Sequence, residues 1–251
     1  RLELNVEVEI KSPHRGPLTW LDVDRAEERY LLTGGADCTV AVFDLDGPGE
    51  KDSNPPHRWV GSRVLSRIRP VASLVQAKRP RPRELREVGR TPRTPLSQAG
   101  TNGQPYGGHY HSVSVVQWYP VDTGLFISGG MDGVVKLWDT NNLAVVLEFD
   151  FRQKVFTASM SKAPGQHHLV AVGNDSTQAR LCDIRSGAFA HSLTGHSEAV
   201  WACRWSPRSE FLLATGSADQ TARLWDIRRS GASACLISLD RDQDEADGED
   251  E

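Results

Sequence analysis

The 251-residue sequence predicts an all-β fold assembled from repeated antiparallel blades. Three observations predict it. His196, Thr215, Asp219 and Trp225 are separated by steps of 19, 4 and 6, and the same steps recur at His109, Ser128, Asp132 and Trp138 and again at His14, Thr33, Asp37 and Phe43, with Phe in the Trp place. Between these positions, short runs alternate apolar and polar residues and are bounded by Gly, Asp, Ser or Pro, the pattern of strands joined by tight turns. The copies end at Asp139, Asp183 and Asp226, at intervals of 44 and 43. Self-similarity at such a period is the signature of a repeat architecture.

Taken in order, residues 1–12 alternate weakly through Leu2, Leu4, Val6, Val8 and Ile10, which fits an outer or approach strand. The first blade core runs over 14–44, with Gly34-Gly35-Ala36-Asp37 as its tight turn. The rhythm then breaks. Asp44 to Asp139 is 95 residues, 51 more than the next interval. The segment 47–108 is rich in Pro, Gly and Arg, with eleven Lys/Arg between Arg58 and Arg93 against Glu84 and Glu87. Such composition reads as a largely disordered insertion, within which Val64–Ile68 keeps a strand for the first blade. An Arg-rich tract can bind nucleic-acid phosphates. No aromatic ladder for stacking bases follows Trp59, so direct nucleic-acid binding is not the expected role.

The second core spans 109–139 and the third 155–183. The third has Gln153 where the spacing expects His, and one extra residue before Cys182. It is expected to lack the full polar quartet. Its His167-His168 pair sits in a turn without the further ligands a metal site needs and reads as solvated. The fourth core divides into strands at 199–205, 211–215 and 221–225, with an outer strand at 235–239. The segment 240–251 carries eight acids and one Arg and reads as a disordered acidic tail. The expected organisation is a first blade at 1–46, an insertion at 47–108, three blades at 109–239 and the tail at 240–251.

The spaced residues suit a shared hydrogen-bond chain. An indole N–H donates, Ser or Thr donates and accepts, imidazole does both, and Asp accepts. A His, Ser and Asp set also raises the question of a hydrolase triad. A triad needs one nucleophile on a strained turn beside an open pocket. Here the set recurs three times, with its hydroxyl in mid-strand among bulky apolar residues. The reading is therefore a structural network of His14, Thr33, Asp37, His109, Ser128, Asp132, Trp138, His196, Thr215, Asp219 and Trp225. No catalytic residue, cofactor or metal ligand is expected.

Composition narrows the setting little. The net charge of −4 singles out no partner class. Cys38, Cys182, Cys203 and Cys235 are scattered without a Cys-x-x-Cys pair, which favours free thiols in a reducing compartment. No apolar run is long enough to span a bilayer and no signal peptide is evident, which leaves cytoplasm and nucleus open.

The copies resemble the WD40 repeat, which opens on Gly-His, closes on Trp-Asp, and lays down four strands per propeller blade. Trp138-Asp139 and Trp225-Asp226 are its closing pairs, with Phe43-Asp44 and Cys182-Asp183 as degenerate equivalents. The resemblance implies a WD40 β-propeller of about four blades. Four blades leave the ring incomplete, so the chain is expected to be a shortened version of a longer parent. A narrower resemblance covers about residues 2–46 and 108–240. The stretches SVSVVQWYPVDTGLFISGGMDGVVKLWDTN, RYLLTGGADCTVAVFDL and WSPRSEFLLATGSADQTARLWDIRRSGASACLISLD, with the unusual Cys182-Asp183, are similar to the Cockayne syndrome group A family.

That resemblance implies a seven-bladed parent serving as a substrate receptor of a cullin-4 RING ubiquitin ligase. It implies docking on a DDB-type adaptor, a ubiquitination target at stalled RNA polymerase II, and transcription-coupled nucleotide excision repair in the nucleus. Receptors of this class carry Trp-Asp-x-Arg at a blade end. Trp225, Asp226 and Arg228 match it, and Arg185 matches it in part after Cys182-Asp183. The expected partner contacts are therefore Trp225, Asp226, Arg228 and Arg185. The rival readings are a generic WD40 scaffold in another nuclear complex, a nucleic-acid-associated protein acting through the Arg-rich insertion, and an enzyme built in the propeller channel, which no motif supports.

Overall fold

The computed structural model describes residues 12–45, 63–68, 108–141, 144–161, 167–229 and 231–240. They form four separate four-stranded antiparallel sheets, each with its strands in chain order. The first blade is β1 (Leu18–Val23), β2 (Tyr30–Gly35), β3 (Val40–Asp44) and β4 (Arg63–Ile68). The second is β5 (Val113–Trp118), β6 (Leu125–Gly130), β7 (Val134–Asp139) and β8 (Ala144–Asp150). The third is β9 (Val155–Met160), β10 (Leu169–Asn174), β11 (Gln178–Asp183) and β12 (Ala188–Thr194). The fourth is β13 (Val200–Trp205), β14 (Leu212–Ser217), β15 (Ala222–Asp226) and β16 (Cys235–Leu239), the last preceded by a short 3-10 turn.

The repeat extends to the defects in the ladders. Every first-to-second strand pair carries a register shift near its start, as between Val113 and Val115, and every third-to-fourth pair carries one near the Trp place, as between Leu137 and Trp138. An extra residue on one strand raises the local twist, and blades twisted alike can stack alike.

The strand register aligns the four first strands column by column. Val113, Val155 and Val200 pair with Gly130, Asn174 and Ser217, as Leu18 pairs with Gly35. Three residues further along stand Val116, Ala158 and Cys203, and Leu21 in the first blade. The side chains of blades two to four in these columns are fully buried against the preceding blade. They fit because the second strand of that preceding blade carries glycine opposite them. A methyl placed on Gly34 would lie 2.8 Å from Val113, one on Gly129 2.9 Å from Val155, and one on Gly173 3.1 Å from the Val200 side chain and 2.7 Å from its carbonyl. Real side chains do not approach so closely, so these positions hold a hydrogen for packing reasons. Polar links run across the same joints. Asp22 accepts the Trp118 N–H at 2.9 Å, Gln117 the Met160 N–H at 2.8 Å, and the Ser159 carbonyl the Trp205 indole at 2.8 Å.

Three sequence expectations change. Gly34 and Gly35 are not in the turn but end β2, and the turn occupies Ala36 to Cys38, the last with a left-handed φ of 66°. The expected extra residue of the third copy is a net of two changes. Met160 and Val170 pair ten apart, where Trp118/Phe126 and Trp205/Leu213 pair eight apart. Upstream, Asp183 to Val200 spans 17 positions and Asp139 to Val155 only 16. The hairpin gains two residues and the approach loses one. In consequence Phe151, four residues before Val155 as His109 is before Val113, holds the histidine place, and Gln153 does not. The His167-His168 turn is half-buried, not solvated. The His167 ring lies tilted against Trp205, with centroids 4.9 Å apart, and His168 Nδ1 meets the Tyr119 hydroxyl at 3.0 Å.

β4 falls inside the segment read as an insertion and pairs along β3 from Val40↔Ile68 to Asp44↔Arg63. Residues 47–62 and 69–107 of that segment, residues 1–11 of the expected approach strand and the expected acidic tail from 241 on lie outside the described residues.

Candidate functional site

The repeated polar residues converge within each blade. In the second blade the Trp138 indole donates to Ser128 Oγ at 2.8 Å, and Ser128 meets His109 Nε2 at 2.7 Å. His109 Nδ1 lies 2.9 Å from Asp132. One proton assignment satisfies all four groups: the hydroxyl donates to Nε2, and the Nδ1–H donates to the carboxylate. The fourth blade repeats this with Trp225 to Thr215 at 2.7 Å, Thr215 to His196 at 2.8 Å, and His196 to Asp219 at 2.9 Å. In the first blade His14 joins Thr33 at 2.8 Å and Asp37 at 3.0 Å, while Phe43 fills the indole's space and donates nothing. The carboxylate also takes the backbone N–H after the histidine: Arg15, Tyr110 and Ser197 each donate at 2.8–2.9 Å. In these three blades the network thus ties the approach to the first strand onto the turn between the second and third.

Sheet register explains why sequence spacing predicts contact. The His precedes the first strand by a fixed count, the hydroxyl sits mid-way along the second strand, the Trp sits two positions from its cross-strand partner on the third, and the Asp turns between them. The third blade has no such chain. Its corresponding residues are Phe151, Val172, Ser176 and Cys182, three of them apolar and buried. A smaller set replaces it: the Asn174 amide donates to Gln153 at 3.3 Å and accepts from Ser176 at 2.8 Å.

The carboxylates are held ionised. Burial raises Asp132, but the His109 bond and the N–H groups of Tyr110 and Val134 outweigh it and hold the carboxyl below the usual range. Burial acts the same way on Asp219, and the Ser197 N–H, the Thr221 hydroxyl and N–H, and His196 together pull it well down. Asp37 is lowered against burial by Thr39, Arg15 and His14. None of this makes a reaction centre. Ser128 is fully buried, and Thr33 and Thr215 nearly so, so no substrate reaches a hydroxyl. Burial also pushes the Cys182 and Cys203 thiols up to about 12, away from thiolate chemistry. Cys38 and Cys235 are half-buried.

The predicted partner residues divide sharply. Trp225 is fully buried in the quartet and presents no surface, and Asp226 is buried under its own arginine. Of the four expected partner residues, these two lie beneath the surface on which Arg228 stands. Arg228 is 62% exposed in its side chain and grips Asp226 with Nε and Nη2, at 2.9 and 2.7 Å. Its guanidinium also lies 4.9 Å from the Phe211 ring. That grip holds Asp226 at about 2. Two of the five guanidinium N–H groups are spent, and the outward edge keeps the other three. Arg185 is exposed, its backbone N–H turning onto Asp183 at 3.0 Å. Sequence reading missed Arg29, which serves the first blade as Arg228 serves the fourth, with Nε and Nη2 on Asp44 at 2.7 and 2.6 Å. Its place before β2, not after β3, hid it.

Comparison with known proteins identifies the repeats. The model of the WD domain, G-beta repeat, matches residues 100–139 and 187–226, which contain the two complete quartets. The WD repeat-containing protein ATCSA-1 of Arabidopsis thaliana is 36% identical over 242 residues, covering 96% of this chain and 45% of its own length. A ribosome biogenesis protein WDR12 homolog of Chlamydomonas reinhardtii is 29% identical over 81% of this chain and 52% of its own, and one of Drosophila persimilis is 32% identical over 48% and 28%. The chain spans about half, or less, of the length of these relatives. The four-sheet architecture and the matched repeats together make this a WD40 propeller segment with an incomplete ring. The expected membership of the Cockayne syndrome group A family is corrected: the similarities run to ATCSA-1 and to WDR12 homologues, and place the chain among WD40 proteins.

Proposed function

We propose that this chain is a non-catalytic protein-interaction module: a substrate receptor that engages the DDB-type adaptor of a cullin-4 RING ubiquitin ligase and works in the nucleus, in transcription-coupled repair. WD40 repeat proteins are generally scaffolds, and the buried quartets serve folding, which leaves chemistry to the ligase. The observation that carries the adaptor contact is Arg228. It stands exposed at a blade end, aimed by Asp226 and braced by Phe211, with three donors facing outward. A guanidinium fixed in this way loses little side-chain freedom on meeting a carboxylate or carbonyl. Similarity to a WD repeat-containing protein along nearly the whole chain supports the reading.

The test is capture of the purified adaptor by this chain and by Arg228→Ala and Arg228→Lys. Arg228→Ala is expected to weaken capture about tenfold, as removal of a charge-assisted bond does, and Arg228→Lys to recover only part of it. Equal capture by all three removes Arg228 from the account. Capture by none favours the second reading, a scaffold in a ribosome-biogenesis assembly, which the WDR12 similarity supports.

A further inference from the structure

The two arginines that grip a strand-end aspartate are supported alike. Arg228 takes Asp226 with Nε and Nη2, and its guanidinium lies 4.9 Å from the Phe211 ring. Arg29 takes Asp44 in the same way and lies 5.3 Å from the Tyr30 ring. Each supporting ring is backed in turn by a ring of another blade. Tyr30 of the first blade has Trp118 of the second 6.3 Å away at 48°, and Phe211 of the fourth has His167 of the third 6.2 Å away at 51°. A carboxylate fixes one edge of a guanidinium, and an aromatic face beneath it fixes the tilt of the plane. A ring that is itself held makes the firmer support.

His167 holds Phe211 by more than its ring. Its Nδ1 accepts the Leu169 N–H at 3.3 Å, which leaves Nε2 to carry the proton and donate to the Glu210 carbonyl at 2.5 Å. That carbonyl belongs to the peptide bond entering Phe211. The Phe211 carbonyl, on the far side, accepts the Ile227 N–H at 3.0 Å, one residue before Arg228. Phe211 therefore meets the segment that carries Arg228 through both its backbone and its ring, and His167 fixes both. The neighbouring histidine turns the other way: His168 Nδ1 meets Tyr119 of the second blade at 3.0 Å.

We infer that His167 is the positioning residue of Arg228: the third blade, acting through Phe211, sets where the exposed guanidinium of the fourth blade points. The bearing of His167 on a partner rests on the adaptor reading above. Its bearing on the order of Arg228 does not.

Hydrogen exchange at the Arg228 Nε–H tests this, followed by nuclear magnetic resonance in the purified chain and assigned by its loss in Arg228→Lys. That N–H is covered by Asp226 and exchanges when the grip opens. His167→Ala is expected to speed the exchange about two- to fivefold, the weight of a cation–ring contact at an exposed site. His167→Phe, which keeps a ring against Phe211, is expected to restore most of the protection. Phe211→Leu is expected to match His167→Ala, and the two together to do no more than either alone, since both break one path. His168→Ala loosens the joint on the other side and is expected to leave the Arg228 exchange unchanged. Unchanged exchange in His167→Ala, equal acceleration by His168→Ala, or effects that multiply in the double variant would overturn the inference. Adaptor capture is the second readout. His167→Ala is expected to weaken it about two- to fivefold in the wild-type background and not at all in the Arg228→Ala background; equal weakening in both would overturn the role at the partner contact. Absence of any capture by the wild-type chain would remove the adaptor reading, and the exchange result would still decide the role of His167.

Discussion

Removing the Ser128 hydroxyl tests the quartet at its hub. Ser128 Oγ is fully buried and holds two bonds, from Trp138 Nε1 at 2.8 Å and to His109 Nε2 at 2.7 Å. Ser128→Ala deletes one small group and strands two buried polar atoms. Each orphan costs about 1–3 kcal/mol, so a loss of about 3 kcal/mol is expected. Trp138→Phe acts differently. Ser128 still satisfies His109, and the Phe126 ring, stacked 5.8 Å from Trp138, keeps an aromatic neighbour. Phe43 shows that a blade accommodates the smaller ring. The expected cost is about 2 kcal/mol, from one bond and some packing. In the double variant the indole is no longer stranded, so the sum of the single losses overstates the double loss by about 1–2 kcal/mol. Equilibrium urea unfolding followed by circular dichroism measures all four species. Additivity within about 0.3 kcal/mol, the behaviour of independent sites, would refute the shared network, as would a Ser128→Ala loss below about 1 kcal/mol.

Acid should loosen the blades that carry quartets. The carboxyls of Asp132 and Asp219 are lower folded than the ordinary value of about 3.9, so their stabilisation is complete above that pH and is lost as pH falls through the folded values. Urea midpoints from neutral pH downward should fall below about pH 4, and Asp219→Asn should flatten that fall while lowering stability at neutral pH. Gln220 adopts a left-handed φ of 66° in the turn where the second blade has Gly133 at 82°. Gln220→Gly should stabilise the chain by about 0.5–1 kcal/mol, read as a raised urea midpoint. Gly129→Ala should destabilise by about 1–3 kcal/mol, because its methyl meets Val115 and Val155 at 2.9 Å; a neutral effect in thermal unfolding would show that the joint yields.

Much of this was legible because β-sheet register turns sequence distance into contact. A step of 19 from His196 to Thr215 spans one hairpin of fixed length, so the imidazole and hydroxyl meet wherever that length is kept. Where the hairpin gains two residues, as between Met160 and Val170, the same step points to Gln153 instead of Phe151. Partner residues were harder to read. Trp-Asp-x-Arg is a string in the sequence, but burial sorts it by strand geometry: Trp225 faces inward, Asp226 lies under a side chain, and Arg228 alone escapes. Arg29 escaped notice for the opposite reason, reaching Asp44 from fifteen positions upstream.

The hydrogen-only positions on the second strands have a consequence for how such chains grow. Each internal joint sets a valine of one blade against a bare-backbone glycine of the blade before it, so that contact carries no address. A duplicated blade spliced into the row would meet that same valine-and-glycine contact on either side. Blade number can then drift from one lineage to the next while the joints stay as they are.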